Sequence, residues 1–373
     1  MRKVDIDLLT TKMKIAQNVY SSEGYTLLSA GVVLSEQFIN KLRYFKVPAV
    51  YIEDGFLPEV QVNDLVSGRT RLESKKAVKE ITNEVKTQLK NKRGFNINVP
   101  KLLSSVKRIT EELGSSKNLI VNMTDIRTTD DYTYSHCVNV CVLSLLLGVS
   151  LNLTEANLNL LGIGALMHDI GKVMIPEDIL NKPGKLTDVE YELMKKHTTF
   201  GYEILSKQRD IHKLSARIAW EHHERIDGSG YPRGLTKKEI HRYSQIVAMA
   251  DVYDALVSPR IYKKAYLPHE AYEYIAGCGN HIFDYDLVQA FLFHLAPYPK
   301  GTIVRLSTGQ IGIVVDLINK LTIRPIVTIL FDNGVPVENR YDLNLAKHLT
   351  ITIVEIVSEE EYQQLKNKAG IKD

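Results

Sequence analysis

Cysteine is scarce in this chain: three in 373 residues, Cys137, Cys141 and Cys278, with no CxxC pair and no zinc-knuckle spacing. An odd, scattered set excludes a disulfide framework and points to a reducing compartment. No charge sign dominates, since 47 Lys and Arg face 44 Asp and Glu, so no global field selects DNA or an anionic membrane. The stretch from Met1 to Thr10 is charged and lacks the apolar core of a signal peptide. The longest apolar run, Cys137 to Leu151, is short for a bilayer and is broken by Asn139, Ser144 and Ser150. A cytoplasmic protein with no membrane and no nucleic-acid polymer as partner is the expectation. HExxH, Walker and Ser or Cys nucleophile motifs are also missing. What remains is an ordinary globular composition, 44% apolar and 24% charged, long enough for about two to three domains.

The character of the chain changes along its length. Residues 1–65 read as a small α/β module of unassigned role: Tyr25–Leu28 and Val32–Leu34 flank a hairpin-like Ala30-Gly31, Ser35 caps a helix through Leu42, and Val47–Ile52 suits a strand. Residues 66–98 read as a charged linker helix whose Val78, Ile81, Val85 and Leu89 share one face, either a solvated helix or one that pairs with a second copy in a homodimer. Residues 99–296 are helical throughout, with periodic stretches at Leu102–Leu113, Tyr132–Leu151, Glu155–His168, Thr187–Lys207, Ile211–His223 and Lys237–Val257. From Pro297 short alternating strands around Gly309-Gln310 and Asn333-Gly334 predict a β-barrel-like module over 297–357, followed by a polar tail, 358–373. The fold class is therefore mainly α, a helical bundle between a small α/β module and a small β module.

The chemistry gathers in the bundle. Gly162 to Pro176 is an apolar helix ending in His168-Asp169, followed after Ile170-Gly171 by Lys172. An aspartate in an apolar setting costs several kcal/mol unless it is paired or holds a metal. His136, His197, the pair His222-His223 and Asp251 also sit on or at the end of apolar helices. A lone histidine such as His136 is more often a satisfied core or boundary residue, which is the reading given to His241, His269, His281, His294 and His348, and Asp251 alone could cap a helix or pair with a lysine. Together, five imidazoles and two carboxylates exceed what one tetrahedral zinc needs and suggest two metals with Asp169 between them. Such a pair suits a shared hydroxide attacking phosphorus, with Lys172 placed to meet a phosphoryl oxygen.

These residues resemble a known family. His136, His168-Asp169-Ile-Gly-Lys172, Ile179-Leu-Asn-Lys-Pro-Gly-Lys-Leu-Thr187, His197, His222-His223-Glu-Arg-Ile-Asp-Gly-Ser-Gly230-Tyr231-Pro232 and Asp251-Val-Tyr-Asp-Ala-Leu256 are similar to the HD-GYP domain. That is the branch of the HD phosphohydrolases whose members hydrolyse the bacterial second messenger cyclic di-GMP to pGpG or GMP. The resemblance covers roughly Val99 to Ala296 and implies an HD-type bundle. It also implies a binuclear iron or manganese site, with His136, His168, Asp169 and Asp251 on one ion and Asp169, His197, His222 and His223 on the other. Asp169 and Lys172 are then the catalytic pair, while Lys172, Arg260 and Lys263 hold the substrate's phosphates. Asp130 reads either as a contact to a guanine edge or as a helix cap. The Gly230-Tyr231-Pro232 loop lines the pocket and is linked to docking of diguanylate cyclases. Tyr132 stands where members with a third metal carry glutamate, so two metals are expected. Hydrolysis of another cyclic dinucleotide, such as cyclic GMP-AMP, and a receptor that binds without hydrolysis remain as alternatives.

Overall fold

The computed structural model describes residues 1–371 except 22–24, 46, 48, 59–63, 92–95, 117–118, 122–131, 259–264 and 320. The chain divides into two compact units, one of Met1–Asp64, Ile120–Tyr132 and Leu295–Asp373, the other of Leu65–Leu119 and Thr133–His294.

The first unit begins with β1 (Arg2–Asp5), β2 (Lys14–Ile15), β3 (Val19–Tyr20), β4 (Thr26–Leu28), α1 (Glu36–Tyr44) and β5 (Ala49–Glu53). β5 is the centre of an antiparallel sheet ordered β1-β5-β2. Ser35 caps α1 by accepting the Phe38 N–H at 3.3 Å. The expected hairpin of 25–28 with 32–34 is not formed: β4 pairs with β3, and Val33 makes a single bridge to Lys14. Gly31, at φ +84, turns the chain away before a second strand can align.

The second unit is all helix: α2 (Gly68–Lys90), α3 (Val99–Ser115), α4 (Tyr132–Ser150), α5 (Glu155–Leu166), α6 (Glu177–Leu180), α7 (Asp188–Lys195), α8 (His197–Ser206), α9 (Lys213–Glu221), α10 (Arg242–Val257), α11 (Pro268–Gly277) and α12 (Tyr285–Leu292). α4 is its centre. By length and hydropathy the segment Thr133–Ser150 is the one helix among the described residues able to cross a membrane, yet 72% of it is buried inside the bundle. α2 buries Ala77, Val78, Ile81 and Val85 and packs on α3, so the stripe expected to face solvent or a second copy is covered within the chain. The helix expected over 187–207 is two, broken at Lys196, with a Thr187–Glu190 capping box starting α7. α10 starts five residues later than expected, because His241 caps it by accepting the Tyr243 N–H at 3.1 Å. His294 also has a structural role, its Nδ1 donating to the Leu119 carbonyl at 2.7 Å.

The chain returns to the first unit as β6 (Ile303–Leu306), β7 (Ile311–Asp316), β8 (Ile326–Asp332), β9 (Val335–Pro336), β10 (Asp342–Asn344), β11 (Ile353–Ile356) and α13 (Glu359–Lys368). The antiparallel order is β10-β8-β7-β6-β11, with β9 on β8. Asn333 and Gly334, at φ +48 and +79, form the two-residue turn between β8 and β9. The last residues, expected as a helical or frayed polar tail, are largely the helix α13. α13 buries Tyr362 and Lys366, and Lys366 joins Arg2 around the Asp54 carboxylate at the end of β5.

Candidate metal centre

Five segments deliver the candidate ligands to one place. His136 comes from α4, His168 and Asp169 follow α5, His197 opens α8, His222 and His223 follow α9, and Asp251 lies in α10. Lys172 sits in the 3₁₀ turn Ile170–Met174. Three overlapping groups form: His136, His168 and Asp251; His168, Asp169 and His222; and His197, His222 and His223, with the donor atoms in each within 4.8 Å of one another. Asp169 links them, its Oδ2 lying 3.4 Å from His168 Nε2 and its Oδ1 3.5 Å from His197 Nε2 and 3.9 Å from His222 Nε2. Across the site His136 Nε2 is 3.0 Å from Asp251 Oδ1, and His223 Nδ1 is 3.8 Å from Asp251 Oδ2.

In four of the five histidines the inward nitrogen is aimed by a hydrogen bond on the other side of the ring. The Nδ1 of His168, His197 and His222 donates to the carbonyls of Ala165, Met194 and Ala219 at 2.8, 2.7 and 2.9 Å. The Nδ1 of His136 donates to Asp254 Oδ2 at 2.7 Å. With Nδ1 carrying the proton, the Nε2 of His168, of His197 and of His222 presents a lone pair to the centre, the arrangement of metal-binding imidazoles, and that of His136 does so once it gives up the proton it shares with Asp251. The arrangement suits a cation. His168 Nε2 and Asp169 Oδ1 are buried with no hydrogen-bond partner, and the Nε2 atoms of His197 and His222 face each other at 3.3 Å. Two lone pairs at that distance repel unless something positive lies between them. These donors, imidazole nitrogen and carboxylate oxygen, fit divalent iron, manganese or zinc.

The electrostatics agree with ligand chemistry. Burial lowers the His197 pKa to about 4 and that of His223 to about 3, and burial with the neighbouring histidines drives His222 well down, so all three are neutral. Burial works against charge on Asp169 and Asp251, but Lys172 and the histidines around Asp169, and His136 beside Asp251, keep both carboxylates ionised. His136 differs: burial lowers its pKa, yet hydrogen bonds to Asp251 and Asp254 outweigh that and raise it to about 9. Lys172 Nζ lies 2.5 Å from Asp169 Oδ2, its side chain 30% exposed. Burial disfavours its charge, but Asp169 more than compensates and raises its pKa.

Two glycines make the geometry reachable. A Cβ on Gly171 would stand 1.9 Å from the His197 carbonyl oxygen, so only glycine lets the 3₁₀ turn lie against α8. A Cβ on Gly230 would meet the Arg225 amide nitrogen at 2.4 Å, so the 230–232 loop rests on the backbone that follows α9. There the Tyr231 ring stacks on His223, centroids 4.7 Å apart, and the Tyr231 N–H donates to the His223 carbonyl at 3.1 Å. The peptide before Pro232 is cis.

Asp130, Arg260 and Lys263 lie outside the described residues. Three carboxylates escaped the sequence reading. Asp254 is fully buried and holds His136; its position three residues after Asp251, on the same face of α10, was the available signal. Glu221 accepts from Arg217, Arg233, the His241 N–H and Ser244. Glu224 accepts the N–H groups of Arg233 and Leu235 at 2.8 and 2.9 Å, which fixes the segment after the loop. Both Glu221 and Glu224 flank His222-His223 in the sequence, where the eye goes to the histidines.

Comparison with known proteins places this geometry in a family. Residues 111–287 match the HD domain, and residues 303–365 match the KOW domain associated with HD domain. A cyclic di-GMP phosphodiesterase of Pseudomonas aeruginosa is 39% identical over 214 residues, covering 57% of this chain and 51% of that protein. One from Thermotoga maritima is 44% identical over 164 residues, 44% of this chain and 45% of that protein. The chain thus spans about half the length of these relatives. An HDGYP protein of Bdellovibrio bacteriovorus shares the fold, with a TM-score of 0.51 at 19% identity over 78% of this chain and 97% of its own. Over residues 111–287 the chain is thus similar to the HD domain family.

Proposed function

We propose that the chain is a metal-dependent phosphodiesterase that hydrolyses cyclic di-GMP to pGpG or GMP. The observation that carries this reading is the seven-donor centre itself, with the partnerless His168 Nε2 and Asp169 Oδ1 at its middle and the Lys172 ammonium at its edge. Two relatives named for this activity are 39% and 44% identical to this chain over 214 and 164 residues.

Two divalent cations, iron or manganese, are held in this reading, one by His136, His168 and Asp251 and one by His197, His222 and His223, with Asp169 shared. Bound there, such a pair lowers the pKa of water toward neutrality and offsets charge on a phosphoryl group. Lys172, kept charged by Asp169, meets a non-bridging phosphate oxygen and stabilises the charge that grows on it in the transition state. Its partial exposure leaves it reachable from solvent, where a dinucleotide arrives. By the family resemblance, Arg260 and Lys263 are assigned to holding the substrate's phosphates, and Asp130 either to a guanine edge or to a helix cap. A water protonates the leaving 3′ oxygen. The Gly230–Pro232 loop walls the pocket beside His223 and offers a docking point for a diguanylate cyclase.

A second substrate is favoured by one observation. A 3′3′-cGAMP-specific phosphodiesterase of Vibrio cholerae is 35% identical over 182 residues, 48% of this chain and 35% of that protein. The seven donors and Lys172 address phosphate, and none of them reads a base. Purified protein loaded with Mn(II), or with Fe(II) under argon, separates the readings when cyclic di-GMP and 3′3′-cGAMP are supplied in turn and products are resolved by chromatography. Turnover of cyclic di-GMP is expected. Turnover of 3′3′-cGAMP alone reassigns the substrate, and tight binding without products leaves a receptor.

A further inference from the structure

A line of buried hydrogen bonds runs from the first turn of α2 to the metal centre. Arg71 Nη1 donates to Asn139 Oδ1 at 2.7 Å, and Asn139 Nδ2 donates to Asp254 Oδ1 at 3.1 Å. The other oxygen of Asp254 accepts from His136 Nδ1 at 2.7 Å, and His136 Nε2 faces Asp251. Asn139, Asp254 and His136 are 3%, 0% and 4% exposed, so water does not short-circuit the line. The Asn139 amide has one orientation that serves both neighbours, oxygen toward the guanidinium and NH2 toward the carboxylate. Arg71 is itself anchored, its Nε donating to the Val66 carbonyl at 3.3 Å. Independently, α2 packs against the 3₁₀ turn that carries Lys172, and Lys86 near its far end pairs with Glu177 at 2.6 Å.

We infer that Arg71 is a positioning residue for the metal centre, acting through Asn139 and Asp254 on His136, and that α2 is the splint that sets the affinity of the His136 half of the site. The physical basis is the demand His136 faces. Its Nε2 must lie on the cation, and on the other side of the ring its Nδ1 is held by Asp254. Asp254 has no room to move while Asn139 holds its other oxygen, and Asn139 is oriented by Arg71. A shift of α2 that withdraws the guanidinium therefore frees Asn139 to turn, loosens Asp254 and blurs the direction of His136. In the other half His197 and His222 have their own backbone anchors, the Met194 and Ala219 carbonyls, which lie off this line. Outer partners of metal-binding histidines typically change metal affinity about 10- to 100-fold.

This inference rests on the metal-binding reading but not on hydrolysis, and its primary readout is metal affinity. Mn(II) binding is titrated against a competing chelator for the wild type, Arg71→Met, Asn139→Leu, the double variant and Arg69→Ala, a control in an exposed pair with Glu73. Arg71→Met keeps the stem and removes the fork. The expected result is about a 10-fold or greater weakening of one Mn(II) in Arg71→Met, with the other retained. Asn139→Leu should do the same, and the double variant no more than the worse single. The metal-free urea midpoint of Arg71→Met should match that of Arg69→Ala. Unchanged affinity in Arg71→Met overturns the inference. So does equal weakening of both ions accompanied by a lower metal-free midpoint, or loss of folding in both Arg71→Met and Asn139→Leu, since either assigns the line to stability alone. Metal binding as expected without cyclic dinucleotide turnover would sink the proposed activity and leave this inference standing.

Discussion

Gly171 and His197 touch through their backbones: a Cβ on Gly171 would lie 1.9 Å from the His197 carbonyl oxygen and 2.4 Å from the Gly201 amide nitrogen. The contact holds the 3₁₀ turn bearing Lys172, and Asp169 just before it, against the helix that opens with His197. Gly171→Ala must therefore push the turn off α8, since backbone on both sides leaves no side chain free to yield. We expect a cost of roughly 1–3 kcal/mol or more, together with loss of bound metal, because Asp169 and His197 move apart. Urea unfolding and metal analysis of the purified variant check both; native metal content would mean that the turn adjusts without disturbing Asp169.

Asp169 and Lys172 are in contact but should fail differently. Asp169→Ala removes the carboxylate lying near His168, His197 and His222, so metal at both positions and all turnover should be lost. Lys172→Ala should keep its metal and lose about two to three orders of magnitude in kcat, the range for one charge-stabilising donor. Metal content and steady-state rates on the same preparations separate the two. Full metal and full rate in Lys172→Ala would make the lysine a partner of Asp169 and nothing more.

Asp54 holds a buried charge cluster in the other unit. Its Oδ2 lies 2.8 Å from Arg2 Nε and accepts from the Tyr362 hydroxyl at 3.2 Å, and Lys366 Nζ is 3.5 Å from Oδ1. Burial resists its charge, but Arg2 and Lys366 hold its pKa below the ordinary value of 3.8. A carboxylate lowered in this way stabilises the fold above about pH 4 and loses that contribution as acid protonates it. Asp54→Ala removes the carboxylate between two buried cations, leaving Arg2 its pair with Glu359, and should cost about 3–5 kcal/mol, whereas replacing Arg2, Asp54 and Lys366 together by apolar residues should recover much of it. Urea midpoints of the single and triple variants decide. Equal midpoints for wild type and Asp54→Ala would show that the cluster relaxes into water.

The metal centre was legible because its residues break a local rule. His136, His168, Asp169 and Asp251 stand in helices otherwise apolar, and an ionisable group there needs a reason. What stayed hidden depended on contacts far apart in the sequence. The break at Lys196 is invisible in Lys195-Lys196-His197, which reads as continuous helix; what lets α8 lie against the 3₁₀ turn is the meeting of Gly171 with His197 and Gly201. β1 looked like a charged start to the chain because Arg2 is buried only by virtue of Asp54 and Glu359, residues that no local pattern connects to it. Asp254 was in view beside Asp251, but its role depends on Asn139 and His136 facing it from another helix.

Removing the metal should give the protein a stability optimum near pH 6.5. In the metal-free fold His197 is held at about 4 and His223 at about 3, against 6.5 in the unfolded chain. Below pH 6.5 the unfolded chain takes up protons that the folded one refuses, so stability falls as acid is added. His136 has the opposite sign. With its pKa raised to about 9, its contribution is complete below pH 6.5 and is lost as the pH rises toward 9, because the unfolded chain has already released that proton. The two slopes meet near the unfolded histidine value. A bound cation removes the alkaline slope, since a ligating His136 carries no proton on Nε2, and it steepens the acid side because protons compete for the same nitrogens. Urea midpoints at pH 5, 6.5 and 8.5, with EDTA and with Mn(II), read this out: a peak without metal, and a plateau from 6.5 upward with it. A metal-free midpoint still climbing from 6.5 to 8.5 would mean that His136 is neutral between Asp251 and Asp254, and that no proton occupies the place the cation takes.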